Sequence, residues 1–503
     1  MAIEKGYIIS IDQSTQGTKA ILIDDEGKIV VRCDRSHQQI TNEKGWVSHD
    51  PNEIYENVIQ VVSELLEQSK INTKLIRSLG ISNQRETSLI WRRDTGEVID
   101  NAIVWQCSRA KTITDRLQDK ETFDYIKKAT GIHLSPYFPA AKFAWLFETY
   151  QLDQLMANGE LCCGTIDSYL IYRLTEKQEF KTDYSNASRT QLFNIVDLKW
   201  DEKLCKLFHI NPACLPNVCD SDALFGWTDF EGILKHKIPI HAVLGDSHAA
   251  LFGQNCVNKG ETKATYGTGS SIMMNTGEEV RRSEQGLATS IAWKINDVVD
   301  YVLEGNINYT GAVITWLKED VKLIENPMET EILASRANEE DITYLVPAFS
   351  GLGAPYWKSD ATAMLTGMTR LTGKREIAKA ALESIGYQIN DVIEIMKSES
   401  NLDLIRLCVD GGPTSNRYLM QFQSDISNIP VYISEQEELS AIGVGYLAGI
   451  KSGLYDLEIM KKVKYKRIYT KMEEAKREHK INGWKQSVQL AITAVNNNKE
   501  VHK

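Results

Sequence analysis

The stretch that most constrains this chain is Ile238-Pro-Ile-His-Ala-Val-Leu-Gly-Asp-Ser-His-Ala-Ala-Leu251. The apolar run over 238–244 reads as a buried strand. Gly245 ends it, Asp246 follows at once, and Ser247 reads as the cap of a helix beginning His248-Ala-Ala-Leu. A buried strand that passes directly into a helix belongs to an α/β sheet, which carries its chemistry at the carboxyl ends of its strands. Taken alone, Asp246 is as well read as a solvated turn acid. It gains meaning only where other segments converge on it.

Two hairpins stand out on either side of that stretch. Tyr7-Ile-Ile-Ser-Ile-Asp12 and Lys19-Ala-Ile-Leu-Ile-Asp24 are strand patterns joined by Gln13-Ser-Thr-Gln-Gly-Thr18. Thr262-Lys-Ala-Thr-Tyr266 leads through Gly267-Thr-Gly-Ser-Ser271 into Ile272-Met-Met-Asn in the same manner. Turns of glycine and hydroxyl residues leave backbone N–H groups free to face an anion, although an ordinary hairpin is the simpler reading of either one. Their recurrence, one opening each half, predicts a duplicated architecture. Leu407-Cys-Val-Asp410 then enters Gly411-Gly-Pro-Thr-Ser-Asn416 and a helix from about Arg417, a junction that admits close approach of a flat ligand.

Elsewhere the signals are mostly structural. Asp50-Pro51-Asn52-Glu53 reads as a capping box, and Ile54, Val58, Val61, Val62, Leu65 and Leu66 share one helix face. The strand over 74–82 ends in Asn83-Gln84-Arg85-Glu86-Thr87; adjacent Arg and Glu there suit a polyhydroxy ligand, while a surface ion pair is their ordinary fate. Trp105 ends another short strand, where an indole suits the C–H face of a polyol or a core. After the rigid turn Pro136-Tyr-Phe-Pro139, Lys142 and Trp145 read as a solvated and a buried helix residue respectively. Residues 164–194 show no evident chemistry, and 212–222 read as a surface connection. The helix over 377–396 is core, and 465–503 read as a charge-laced peripheral helix with a frayed tail.

A chain of 503 residues is long enough for more than one domain. Its formal net charge of −11 argues against non-specific nucleic-acid binding, and no apolar run is long enough to span a bilayer. The nine scattered cysteines and a start without signal-peptide character predict reduced thiols in a cytoplasmic protein. Residues 367–375 miss the P-loop pattern in spacing and in Arg375, and Gly267-x-Gly269 lacks the third glycine of a dinucleotide fingerprint. His236, His241 and His248 match no zinc spacing.

At this point longer runs become identifiable: NQRET at 83–87, NAIVWQC at 101–107, TDYSNASRTQLFNI at 182–195, YGTG at 266–269, PAFSGLGAPYW at 347–357 and LMQFQSD at 419–425. Over nearly its whole length the chain resembles the FGGY carbohydrate kinases, and most of all their glycerol-phosphorylating branch. The resemblance implies an α/β fold of two actin-like, ribonuclease-H-like domains, 1–252 for the polyol and the base and 253–503 for the nucleotide, flanking a hinged cleft. It implies transfer of phosphate from ATP, with Mg2+, to a primary hydroxyl of a small polyol, glycerol first, in a chain that assembles as a dimer or a tetramer. Asp246 falls on the catalytic base. Arg85, Glu86, Trp105, Tyr137, Asp246 and Ser247 fall on polyol positions. Thr15, Gln16, Gly17, Lys19, Gly267, Thr268, Gly311, Thr315, Gly412 and Asn416 fall on nucleotide positions, and Asp12 with Asp246 on metal positions.

Four departures from the family pattern bear on specificity. Ser247 stands where a Gln is usual, Thr315 likewise, the first turn reads Ser14-Thr-Gln-Gly-Thr-Lys, and Ser135 and Pro139 flank Tyr137. A shorter residue at 247 leaves more room in the pocket, which keeps erythritol, xylulose or ribulose in view as acceptors. An ATP-driven switch with no small-molecule acceptor is the alternative from another class.

Overall fold

The computed structural model describes residues 5–501, with side chains described as far as 494. Two mixed sheets are built on one plan. In the first, Tyr7–Gln13, Ile76–Asn83 and Ile238–Gly245 run parallel, Gly17–Asp24 and Ile29–Ser36 add antiparallel strands on one side, and Gly226–Thr228 closes the other edge. The second repeats this with Thr262–Tyr266, Leu407–Asp410 and Val431–Ser434 as the parallel set, and Tyr465–Ile468 at the edge. Beyond its hairpin partner Ser270–Gly277 it carries Val298–Ile307 and one strand more, Ala288–Ile295. The duplication expected from the two hairpins is therefore present in the topology, although the two sequences have diverged.

Register explains why distant segments meet. Gln13 and Gly245 both pair with Asn83, so the three parallel strands of the first sheet end level with one another. Whatever follows them, Ser14, Gln84 to Glu86 and Asp246, is delivered to one rim. The helix after the third strand, Asp246–Gly253, begins two residues earlier than the sequence suggested. Gly245 occupies the cap position, and Asp246 takes the Ser247 N–H on its own carboxylate at 2.6 Å, so Ser247 caps nothing. A second expectation also needs correcting. Asp50 does cap Pro51–Ser69, but Glu53 reaches away to the Gln38 N–H instead of closing a capping box.

A smaller five-stranded sheet, including Ser88–Arg92 and Leu161–Thr165, packs with Pro139–Tyr150 into a core of its own. Lys142 on that helix, expected in solvent, is fully buried, and Trp145 is half-buried. The C-terminal region also differs from expectation. Tyr465–Ile468 is a strand, and the peripheral helix expected there, Glu474–Val501, packs one face of its described part inward, with Trp484 buried and stacked on Tyr387 at 5.1 Å. The frayed tail expected at the end of the chain lies outside the residues whose side chains are described.

One element crosses between the halves. The helix Leu439–Lys451 comes from the second half of the chain but lies against the first sheet and the Asp246–Gly253 helix. The crossing is so close that a Cβ on Gly443 would stand 2.0 Å from the Ala249 carbonyl oxygen, and one on Gly253 2.2 Å from that of Leu439. Only residues without a side chain permit that approach. Among the described residues no helix is long and apolar enough to cross a membrane.

Candidate active site

At the rim of the first sheet the side chains form a buried ionic network. Arg85 donates through both terminal nitrogens to Glu304, at 2.9 and 2.7 Å, while its Nε stands 3.3 Å from Asp246. Arg189 donates to Glu86 at 2.6 Å and to Glu304 at 2.8 Å. Two guanidiniums thus face three carboxylates. Burial pulls Glu304 upward, but Arg189 and Arg85 outweigh it and hold its carboxyl well below the usual range. Burial works against the charge on Arg85 too, and Glu304 and Glu86 overcome it. Because Arg85 spends its fork on Glu304, only its Nε turns to Asp246, whose side chain is 34% exposed and free to accept from a ligand. Gly245 makes this possible: a Cβ there would meet the Arg85 stem at 2.6 Å.

The segment over 182–189 supplies Arg189, and it is anchored by Asp183, which accepts from Ser185, Asn186 and Ser221. His248, inside the Asp246 helix, is held neutral by burial and by the nearby Arg85. Lys142 donates to the backbone carbonyls of Glu86 at 2.9 Å and Tyr137 at 2.6 Å. Glu86 sits at φ 60°, a conformation that a non-glycine residue holds only where its surroundings fix it. Burial lowers Lys142 from 10.5 to about 7. Trp105 lies 5.5 Å from the Tyr137 ring and donates its indole N–H to Thr15 at 2.9 Å, tying the polyol positions to the first turn. Arg85, Glu86, Trp105, Tyr137 and Asp246 are thus linked by contacts. Ser247 lies beside them, half-buried.

The nucleotide positions divide. A cavity of about 670 Å3 is lined by Asp12, Lys19, Gly412 and the stretch from Ile433 to Ser440. Lys19 reaches across it to pair with Glu438 at 2.8 Å. In the first turn, Thr15 is half-buried under Trp105, Gln16 is exposed, and Gly17 packs so near Arg35 that its lack of a side chain is explained by the strand alone. In the second turn, the carbonyls of Gly267 and Thr268 accept from Gly311, Thr310 and Ala312 at the start of the helix Gly311–Glu319. Thr315 is exposed one turn along that helix and bonds back to Gly311, while Asn416 caps Arg417–Ser427 and donates to Thr330. Thr315 and Asn416 are among the nucleotide positions that do not line this cavity.

Asp12 joins the two regions. It lines that cavity, accepts from Ser82 at 2.8 Å, and is raised to about 7 by burial and by the charge of Asp246. Two hard carboxylates that repel one another across a cleft fit a small divalent cation. Among the described residues no group of three or more His, Cys, Asp or Glu is placed to hold a metal unaided, so water and phosphate oxygens would complete such a shell. All nine cysteines are free thiols, eight of them buried.

Glu304 and Arg189 are the members that sequence reasoning missed. The bonds that join them to Arg85, to Glu86 and to each other span 103 to 219 residues of chain. The available hint was an acid in the middle of the apolar strand Val298–Ile307.

Comparison with known proteins then adds its finding. Residues 7–253 match the N-terminal domain of the FGGY family of carbohydrate kinases, and 262–452 its C-terminal domain. Glycerol kinase 1 of Thermotoga maritima is 44% identical over 97% of this chain and 100% of its own length; the glycerol kinase of Alkaliphilus oremlandii is 42% identical over 97% and 98%. Among solved structures, Plasmodium falciparum glycerol kinase with ADP superposes with a TM-score of 0.91 at 36% identity, covering 97% of this chain and 98% of that one. A xylulose kinase from Lactobacillus acidophilus, at 0.87 and 22% identity over 96% and 97%, shares the fold.

Proposed function

The chain belongs to the FGGY family of carbohydrate kinases, and from that premise we propose that it transfers the terminal phosphoryl group of ATP to a primary hydroxyl of glycerol, giving glycerol 3-phosphate. It is a phosphotransferase with an alcohol as acceptor. The observation that carries the reading is the meeting of two regions at Asp12 and Asp246. One offers carboxylates, guanidiniums and aromatic rings to a polyol; the other offers Lys19, Gly412 and an open backbone to a nucleotide.

In this reading the acceptor lies against Trp105 and Tyr137, with its hydroxyls on Arg85 and Glu86. The reacting oxygen bonds to the γ-phosphorus as the bond from that phosphorus to the bridging oxygen breaks. ADP departs and the hydroxyl proton passes to Asp246. Such a transfer asks for position and charge more than for covalent chemistry. The Lys19–Glu438 pair would open as phosphate oxygens take the ammonium. Asp12 and Asp246 would hold Mg2+, whose charge offsets that developing on the phosphates. Residues 1–252 give most of the acceptor side and 253–503 most of the nucleotide side, with Lys19 and Glu304 each reaching into the other, in the cytoplasm.

The test is ADP release coupled to a dehydrogenase, with glycerol as acceptor, comparing the wild type with Asp246→Asn. General-base assistance contributes about 10²–10⁴-fold, so the variant should lose turnover by that factor while its melting temperature holds. Turnover close to wild type would remove Asp246 from the reaction. ATP hydrolysis indifferent to any acceptor would point instead to a nucleotide switch.

A further inference from the structure

Lys263 is the least expected residue near this site. It stands second in Thr262–Tyr266, in the middle of the second sheet, and its side chain is almost wholly buried. A buried ammonium loses its hydration, and a fold that keeps one usually sets a carboxylate against it. This one makes no direct ion pair among the described residues; its ammonium donates instead to the Thr265 hydroxyl at 3.0 Å. Neither the acceptor contacts nor the phosphate turns make use of it.

Register shows where that cation leads. Side chains alternate along a strand, so Lys263 and Thr265 share a face, and across the ladder they pair with Cys408 and Asp410. Cys408 packs in one core with Ala249, Leu251 and Phe252, so this face is turned toward the Asp246–Gly253 helix. The Thr265 hydroxyl that accepts from Lys263 donates in turn to Asp410 at 2.8 Å. The same carboxylate oxygen accepts at 2.8 Å from Gln254, the residue on which the Asp246 helix ends. One polarised chain thus runs from Lys263 through Thr265 to Asp410, and Gln254 joins it to that helix. Burial pushes the Asp410 carboxyl up, and Lys263 is the first influence to pull it back; burial lowers Lys263, and Asp410 opposes that.

Asp410 is the last residue before the Gly411–Gly412 turn, and it lines the cavity proposed for the nucleotide together with both glycines. The turn is seated tightly: Gly411 has φ 98°, and a Cβ on it would stand 2.0 Å from the Tyr266 carbonyl oxygen. We propose that Lys263 is a positioning residue for the donor nucleotide. Through Thr265 and Asp410 its charge holds the Gly411–Gly412 turn in place, and through Gln254 it ties that turn to the helix carrying Asp246. The lysine touches neither substrate. It sets where the nucleotide lies, and so the line along which the phosphoryl group meets the acceptor oxygen, where small displacements are costly. That last step rests on the kinase reading; the rest needs nucleotide binding alone.

The experiment compares the full-length protein with Lys263→Met and Thr265→Val, which keep bulk and each break the chain at one point. ADP affinity is measured by titration calorimetry with Mg2+ and no acceptor, alongside initial rates with ATP and glycerol. Each variant should bind ADP about tenfold more weakly and raise the KM for ATP as much, the worth of one hydrogen bond to a charged group. The glycerol KM should move less than about twofold, and the melting temperature should hold. Lys263→Ala supplies a readout that packing alone would not move. Propylammonium, which replaces the lost carbons and charge, should restore ADP affinity; propanol, which fills the same space without charge, should not. ADP binding within about twofold of wild type in both conservative variants, KM values for ATP and glycerol that rise together, or rescue by propanol as good as by propylammonium each overturn the proposal. If Lys263→Met folds poorly, Thr265→Val still decides. A wild type that binds no ADP overturns it as well. ADP binding that responds as expected, in a protein that no acceptor turns over, would remove the kinase reading and leave Lys263 its place at the nucleotide.

Discussion

Glu304→Gln is the sharpest probe of the buried network, because it changes one charge and almost no volume. The wild-type carboxylate accepts two bonds from Arg85 and one from Arg189, all between 2.7 and 2.9 Å. Bonds to charged groups contribute about 1.5–3 kcal/mol each, but a glutamine oxygen still accepts one or two of the three. Its amide nitrogen, however, must turn N–H toward N–H on one of the guanidiniums. The net cost should be about 3–5 kcal/mol, the range for removing one partner of a buried pair. Urea unfolding followed by tryptophan fluorescence measures it. The sign with pH is fixed: Glu304 is depressed in the folded chain, so its contribution is complete above its unfolded value of 4.5 and fades as pH falls through the lower folded value. The difference between variant and wild type should therefore shrink only in acid. Freed from Glu304, Arg85 should turn fully to Asp246 and weaken it as a base, lowering kcat more than it raises KM. A variant within about 1 kcal/mol of wild type, with kcat unchanged, would refute the account of the network.

Three smaller perturbations test its surroundings. Gly245→Ala has permitted backbone angles, so its cost is contact with the Arg85 stem; overpacking of about 1–3 kcal/mol should lower the melting temperature by several degrees and kcat/KM with it. Lys142→Met keeps the bulk but drops both carbonyl bonds, and should raise the acceptor KM about tenfold. Because Lys142 binds its proton less well folded than unfolded, wild-type stability should rise between about pH 7 and 10.5, and the variant should lack that slope in urea midpoints. Trp105→Phe retains the ring and loses the bond to Thr15; the KM for ATP should rise about three- to tenfold with little change in that for the acceptor, as initial-rate kinetics would show.

Much of this was legible in the chain because it is encoded locally. The two hairpins, the Pro51–Ser69 helix and the approach to Asp246 are each written in about fifteen consecutive residues, where period and turn chemistry suffice. Lys142 was misread because helix periodicity says which face a residue occupies, and says nothing of a neighbouring turn that folds its carbonyls over that face. Glu304 and Arg189 were missed for a related reason. A buried charge is recognised by its partner, and their partners lie in other elements. The register of the strands settled what pattern reading could not, by bringing Gln84 to Glu86 level with Asp246.

The glycine crossing between the Asp246 and Leu439 helices has a consequence for how this protein can be cut and recombined. The chain reads as two halves in sequence, yet Leu439–Lys451 belongs mechanically to the first sheet. The stretch ahead of it, through Glu438, lines the cavity proposed for the nucleotide, while the other helix begins at Asp246. One contact, in which carbonyl oxygens rest where side chains would otherwise stand, therefore gauges the spacing between that cavity and Asp246. A chimera that exchanges halves with a relative at 252/253 would separate the two sides of that gauge. One that carries 439–451 with the N-terminal piece would keep it intact.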